Sequence, residues 1–265
     1  MAFAGSTRPN STSRINIILH YPALIFAIPG NHDGETHTLK GDPPDTEPSL
    51  AGFFDNFCDA TANHVSPYRM SMTQPYVYWI LDAPFVTVIG LYSNVEGSLD
   101  ARGRYAQQHF LQTALTNAPA DRKLIVAVHH PPFSLDAAHG GTPDILNALD
   151  RAFAKSGRFP DAVLSGHVHN YQRFSRDHEG RKIPYVVAGA GGYANDAKSM
   201  HKLQKVLGNP ALPFQTTLSD VRLESYNQLD PGFLRLTADA GGLEIEYFVV
   251  PFDGGPVVRF DSVRA

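Results

Sequence analysis

Three short stretches combine residue types that coordinate metal ions: Gly30-Asn31-His32-Asp33, His129-His130-Pro131-Pro132 and Gly166-His167-Val168-His169. Imidazole nitrogen suits Zn, Mn, Fe and Co, and the amide oxygen of an asparagine suits harder divalent ions. A glycine ahead of the ligand lets the backbone turn tightly beside an ion. In an extended His-x-His segment alternate residues point the same way, so His167 and His169 would serve one metal centre while Val168 turns into the core. Each stretch alone has an ordinary reading, as a turn or as a strand cap before a Pro-Pro loop. The three together, in this order, argue for one site.

The elements that must bring these residues together are legible around them. Each stretch begins where a short apolar run stops: LIFAIP before Gly30, KLIVAV before His129 and DAVLS before Gly166. In α/β sheets ligands gather beyond the carboxyl ends of the strands, so residues far apart in sequence converge when such ends lie side by side. Residues 24–28, 123–129, 161–165 and 183–190 therefore read as buried strands. YVYWILD and FVTVIGLY, divided by Ala83-Pro84, predict a hairpin. LAGFFDNFCDA sets Phe53, Phe54 and Phe57 at helical spacing. Residues 103–116 put Phe110, Leu111 and Leu115 on one helical face, and Thr142-Pro143 opens a helix to about Lys155. From about residue 214 alternating strands take over, separated by Asp230-Pro231-Gly232 and Gly241-Gly242. Residues 1–14, rich in Ser, Thr, Arg, Pro and Asn, predict a disordered segment, and residues 15–265 a single domain of two packed sheets.

Composition excludes several classes. The 265 residues are 43% hydrophobic and 18% charged, with a formal net charge of −4, so no basic face for a nucleic-acid duplex is expected. An anionic substrate stays compatible, because a bound metal ion inverts the local field. No apolar run approaches the roughly 20 residues that span a bilayer, and the first residues lack a signal-peptide pattern, so a soluble cytoplasmic protein is the expectation. The single cysteine, Cys58, lies among phenylalanines and reads as core, and no Gly-x-Ser-x-Gly occurs, which argues against a serine or cysteine hydrolase. Of twelve histidines, His37, His64, His139, His178 and His201 have polar, Gly or Asp neighbours and read as surface or loop residues. HHPPFSLDAAHGGT and GAGGYAND read as rims of a pocket or as plain loops.

On these motifs the chain resembles the calcineurin-like metallophosphoesterases, a superfamily that includes purple acid phosphatases and cyclic-nucleotide phosphodiesterases. The family pattern runs Asp-x-His, Gly-Asp-x-x-Asp/Tyr, Gly-Asn-His-Asp/Glu, His and Gly-His-x-His, and the last three elements stand here at residues 30–33, 129 and 166–169. GHVHNYQRF and the β-rich tail resemble the purple-acid-phosphatase-like branch. The resemblance implies an α/β fold of two packed mixed β-sheets flanked by helices, a four-layer α/β/β/α sandwich. It implies two divalent transition-metal ions (Zn, Mn, Fe or Co), one held by Asn31, His129 and His167 and the other by His169. His32 would contact the substrate phosphate and protonate or stabilise the leaving group. His129 is expected as ligand rather than His130, because the family ligand usually stands two residues before the Pro. His130, Tyr171 and Arg173 are candidates for the substrate side, with a packing tyrosine and a surface arginine as the alternatives for the last two. The implied reaction is hydrolysis of a small phosphate mono- or diester by direct attack of a metal-bound hydroxide.

The first two family elements are absent. No aspartate or glutamate precedes Ile25 and Asp-x-His occurs nowhere, while GDPPD at residues 41–45 follows Gly-Asn-His-Asp instead of preceding it and reads as a coincidence. The absent elements supply the carboxylate that bridges two ions about 3.5–4 Å apart. Such ions lower the pKa of a bound water from 15.7 to about 7, roughly nine units or about 12 kcal/mol, which imidazoles and an amide alone do not replace. With three neutral ligands for one ion and His169 alone for the other, the expected occupancy of this chain falls to one ion or none. A truncated chain that has lost an N-terminal βαβ portion is the expected explanation. A non-catalytic metal- or phosphate-binding relative is the alternative to an active phosphoesterase.

Overall fold

Lys-Leu-Ile-Val-Ala-Val, apolar on both sides of its pleat, becomes a central parallel strand with both faces covered. The computed structural model that shows this describes residues 24–35, 49–58, 61, 64–66, 69–70, 73–100, 104–192 and 194–265. Strands β1 (His64–Ser66) and β2 (Arg69–Met70) form a small ribbon. Among the described residues the main sheet has eight strands: β3 (Trp79–Asp82), β4 (Val86–Leu91), β5 (Lys123–Val128), β6 (Ala162–Ser165), β7 (Tyr171–His178), β8 (Arg181–Ala188), β9 (Phe214–Gln215) and β10 (Val221–Asn227). They are ordered β3-β4-β5-β6-β8-β7-β10-β9. Strands β4, β5, β6 and β8 run parallel and the outer strands antiparallel. A second, antiparallel sheet holds β11 (Gly232–Asp239), β12 (Gly242–Val249) and β13 (Val258–Arg264).

Among the described residues four α-helices accompany them: α1 (Asn31–Gly34), α2 (Ala51–Phe57), α3 (Ala106–Asn117) and α4 (Pro143–Ser156). On one face of the main sheet Leu124, Val126 and Val128 pack with Leu111 and Leu115 of α3 and with Ile145, Leu149 and Phe153 of α4. On the other face Ile125 and Ala127 pack with Leu243, Ile245, Tyr247 and Val249 of the small sheet. The alternation along β5 thus welds the layers: helices, large sheet, small sheet. The α/β architecture of two packed mixed sheets is as expected, and three of its layers are formed by described residues. The Asp100 carboxylate caps α3, accepting from the backbone N–H groups of Gln107 and Gln108, each at 2.9 Å. Pro143 occupies the first turn of α4 as predicted.

Two expectations need correction. Residues 24–28 are not a strand. Ile25, Ala27 and Ile28 are buried, but the backbone of Ala27 is satisfied by side chains. Its N–H donates to Gln74 Oε1 at 3.0 Å, and its carbonyl accepts from Gln74 Nε2 at 3.0 Å and from Trp79 Nε1 at 2.7 Å. Burial demands a partner for each polar backbone group but does not demand that the partner be a strand. Conversely, residues 171–178 form β7, an element the sequence reading lacked, paired with β8 along its whole length. The β3–β4 hairpin is found as predicted, beginning at Trp79 rather than at the preceding tyrosines. Cys58 packs half-buried against the cluster of Phe53 and Phe57. The segment 1–14 and the GDPPD stretch lie outside the described residues. Among the described residues no helix is long and apolar enough to cross a membrane.

Candidate metal centre

Sheet register brings the second and third motifs to one place. Leu91 of β4, Val128 of β5, Ser165 of β6 and Val187 of β8 lie level across the sheet. His129 is the next residue after β5, and its carbonyl accepts from Gly166 N–H at 3.0 Å, extending the ladder one step beyond the strands. His167 then adopts φ +62, a left-handed conformation that costs a β-carbon-bearing residue of order 1–2 kcal/mol. The His-x-His stretch is therefore a bend, not the extended segment expected. Val168 N–H donates to Gly166 O at 2.7 Å and Asn170 N–H to Val168 O at 2.8 Å. Val168 still turns fully into the core. Gly189 makes room for the bend, since a Cβ there would collide with the Val168 carbonyl oxygen.

Asn31 arrives from the other side, as the first residue of α1, in a turn closed by Gly30 N–H donating to Asp33 Oδ2 at 2.8 Å. Its Oδ1 lies 3.0 Å from His129 Nε2 and 3.2 Å from His167 Nδ1, and those two nitrogens are 3.2 Å apart. The three atoms form a nearly equilateral triangle. Ligands about 2.0–2.1 Å from a tetrahedral zinc stand about 3.3 Å apart. Around an octahedral ion at about 2.1 Å, adjacent ligands stand about 3.0 Å apart. The amide oxygen accepts only, and when both neutral rings carry their protons on the other nitrogens the three atoms present lone pairs to a common point, as a divalent ion requires. The donor set fits such an ion. Among the described residues no three His, Cys, Asp or Glu side chains form a metal-holding group; this set consists of two histidines and an amide.

Burial acts on the imidazoles in the direction a ligand needs. His129 is held well below the usual histidine value by burial first and then by His130 and His167. His167 is lowered to about 3 by burial and by His130 and His139, and His169 to about 4 by burial and by His201 and His139. Neutral rings keep their lone pairs. Asp33 moves the other way, pushed up to about 6 by burial against the partial relief of the Gly30 N–H bond.

The remaining predicted residues are placed as follows. His169 stands beside His201 instead of in the triangle: its ring centroid is 4.3 Å from that of His201, and its N–H donates to His201 Nδ1 at 3.1 Å. His32 is largely exposed, and its Nδ1–H donates to Glu35 Oε2 at 2.8 Å. His130 is buried and anchored by Ser93, whose Oγ accepts from the His130 N–H at 3.2 Å and lies 2.7 Å from its Nδ1; its ring packs 4.3 Å from His167. Lowered to about 4 by burial and then by His139, His130 braces a ligand. Tyr171 and Arg173 are not brought to the histidines. The Tyr171 hydroxyl donates to Asp261 Oδ2 at 2.8 Å and Arg173 grips the same carboxylate at 2.7 and 2.9 Å.

Residues read as surface or loop join the site instead. The His139 ring lies 4.6 Å from His167 and 5.1 Å from His201. The buried Asp136 carboxylate orders this corner by accepting from His139 N–H at 2.7 Å, and it stands 3.7 Å from His201 Nδ1. Both histidines come from near or within the two candidate rim stretches, so position relative to the motifs was the available signal. A cavity of about 640 Å³ lies at the opposite end of β5 and β6, beside Lys123, Arg158 and Asp161, away from this cluster.

Comparison with known proteins bears on the family and the fold. The calcineurin-like phosphoesterase family model matches residues 7–171. Purple acid phosphatase 21 of Arabidopsis thaliana is 28% identical over 147 residues, covering 52% of this chain and 32% of that protein. A probable cyclic nucleotide phosphodiesterase of Rhodopseudomonas palustris is 39% identical over 66 residues, 24% of each chain. The fold matches that of the purple acid phosphatase PPD1 of yellow lupin (Lupinus luteus), with a TM-score of 0.59, 19% identity, and coverage of 90% of this chain and 40% of the other. The chain spans about a third of the length of the curated purple acid phosphatases it matches. With the family model covering more than half its length, the chain belongs to the calcineurin-like phosphoesterases.

Proposed function

We propose that this chain carries part of the metal centre of a phosphate-ester hydrolase acting on a small phosphate mono- or diester. The observation that supports the reading is the 3.0–3.2 Å triangle of Asn31 Oδ1, His129 Nε2 and His167 Nδ1. Divalent ions, when bound, supply positive charge for the phosphoryl oxygens and a water whose pKa falls near 7. Asn31, His129 and His167 hold one ion, and His169 belongs to the other. His32, its Nδ1–H held by Glu35, would donate to the leaving oxygen from Nε2 only when the ring carries a second proton. His201 accepts the His169 N–H at Nδ1, which leaves its proton on Nε2, where it donates to a substrate oxygen. His139 borders the same opening.

A second reading, binding of a metal or phosphate without turnover, draws on the neutrality of the triangle: no described carboxylate joins it to offset a dication. Elemental analysis beside hydrolysis of an aryl phosphate separates the two. Retained metal with turnover, both lost in His167→Ala, supports the hydrolase. Retained metal without turnover supports the binding protein, and absence of metal from wild type overturns both.

A further inference from the structure

We infer that Glu35 is a positioning residue that sets the orientation of the Asn31 amide and the tautomer of the His32 ring, an inference that rests on the metal-dependent reading above. An asparagine amide carries an oxygen and an NH2 group of nearly equal shape, and only the oxygen binds a cation. Left to itself the amide turns either way. A carboxylate accepts and never donates, so the Glu35 Oε1 at 3.2 Å from Asn31 Nδ2 draws the NH2 group outward and aims Oδ1 at His129 and His167. The other carboxylate oxygen accepts from His32 Nδ1 at 2.8 Å, which puts the neutral ring's proton on Nδ1. One side chain thus governs a metal ligand and the neighbouring proton-transfer group.

The local fold makes this geometry. Glu35 follows directly on α1, with Asn31 four and His32 three residues before it, the two spacings that share a helical face. Glu35 N–H donates to Asn31 O at 3.1 Å and closes the turn, and the carboxylate is only 22% exposed. The carboxylate stands behind the ligand, not on the ion, where removal of such a partner typically weakens metal binding 10–100-fold.

The test is Mn²⁺ titration calorimetry on the full chain for wild type, Asn31→Ala, Glu35→Ala and Glu35→Gln, with ¹⁵N imidazole spectra of metal-free protein. The expected result is a loss of about 10–100-fold for Glu35→Ala and at least as much for Asn31→Ala. Glu35→Gln keeps the volume, and so serves if the alanine variant loses its fold. It recovers part of the affinity, but its own NH2 group turns His32 from the Nδ1–H to the Nε2–H tautomer. A purely structural role would leave that signal unmoved. Wild-type Mn²⁺ affinity in Glu35→Ala, with loss in Asn31→Ala, overturns the inference and leaves the metal reading standing, as does an unchanged His32 tautomer in Glu35→Gln. No Mn²⁺ binding by wild type overturns both.

Discussion

Gly30 lies where a Cβ would meet His129 Cε1 at 2.9 Å, so the absence of a side chain there lets the Asn31 turn approach the ring. Gly30→Ala should separate Asn31 Oδ1 from His129 Nε2 and weaken Mn²⁺ binding about tenfold or more, with little change in melting temperature; titration beside a thermal melt checks it. The same residues make the metal-free protein sensitive to acid. His129, His130, His167 and His169 all ionise below the ordinary histidine value of 6.5, chiefly through burial. Below that pH the unfolded chain binds protons that the folded cluster refuses. Stability therefore falls as pH drops from about 6.5 toward 4, by at most about 1.4 kcal/mol per pH unit for a group and by less for the partly exposed His167 and His169, whose charge solvent screens. Asp33 opposes them: with its folded value raised to about 6, it binds a proton in the fold that the unfolded carboxylate does not, and its contribution is lost as pH rises through 6. Four groups against one give a net loss in acid. Urea midpoints of metal-free protein at pH 7.5, 6 and 5 should fall in that order, and a flat series would contradict the neutral cluster.

At the scale of elements, the approach to Asn31 is held by side chains, the Gln74 amide foremost. Gln74, itself buried, donates to and accepts from the backbone of Ala27 and so replaces the strand that residues 24–28 lack. Gln74→Ala leaves a buried N–H without its acceptor, at a cost of about 1–3 kcal/mol in a urea melt. Gln74→Glu keeps the acceptor but loses the donors to Ala27 O and Tyr76 O, and should cost a comparable amount. Both variants should also weaken metal binding, because the segment leads directly into Gly30 and Asn31. The apolar character of residues 24–28 was plain in the sequence. Their partner was not, because an amide 47 residues away leaves no periodic signal.

Across the whole molecule, Asp261 of β13 ties the two sheets together. It accepts the Tyr171 hydroxyl and both arms of Arg173, while the Tyr171 ring stacks on Tyr247 at 3.8 Å, nearly parallel at 7°. Burial alone would raise the Asp261 carboxyl, but the bonds and charge of Arg173 outweigh it and hold it below the usual value. Asp261→Ala strands the guanidinium between the sheets and should cost about 3 kcal/mol in a denaturant melt while leaving Mn²⁺ affinity near wild type. Loss of metal binding in proportion to stability would instead place Asp261 within the site's support.

By itself the sequence determined the ligand types, their positions after apolar runs, the amphipathic face of α3, the Thr142-Pro143 start of α4, and the β3–β4 hairpin, because each is written in a window of a few residues. Only the tertiary structure decided which groups meet. Asn31 and His167 converge across 136 residues, and Tyr171 finds Asp261 across 90. His139 and His201 join the centre although their neighbours read as loop. Glu35, four residues from Asn31, was near enough to suspect, yet its role emerges only once Asn31 Oδ1 is seen facing two histidines. Local pattern encodes what an element is; long-range register and burial select the side chains that share a point in space, and at this site that selection decides the chemistry.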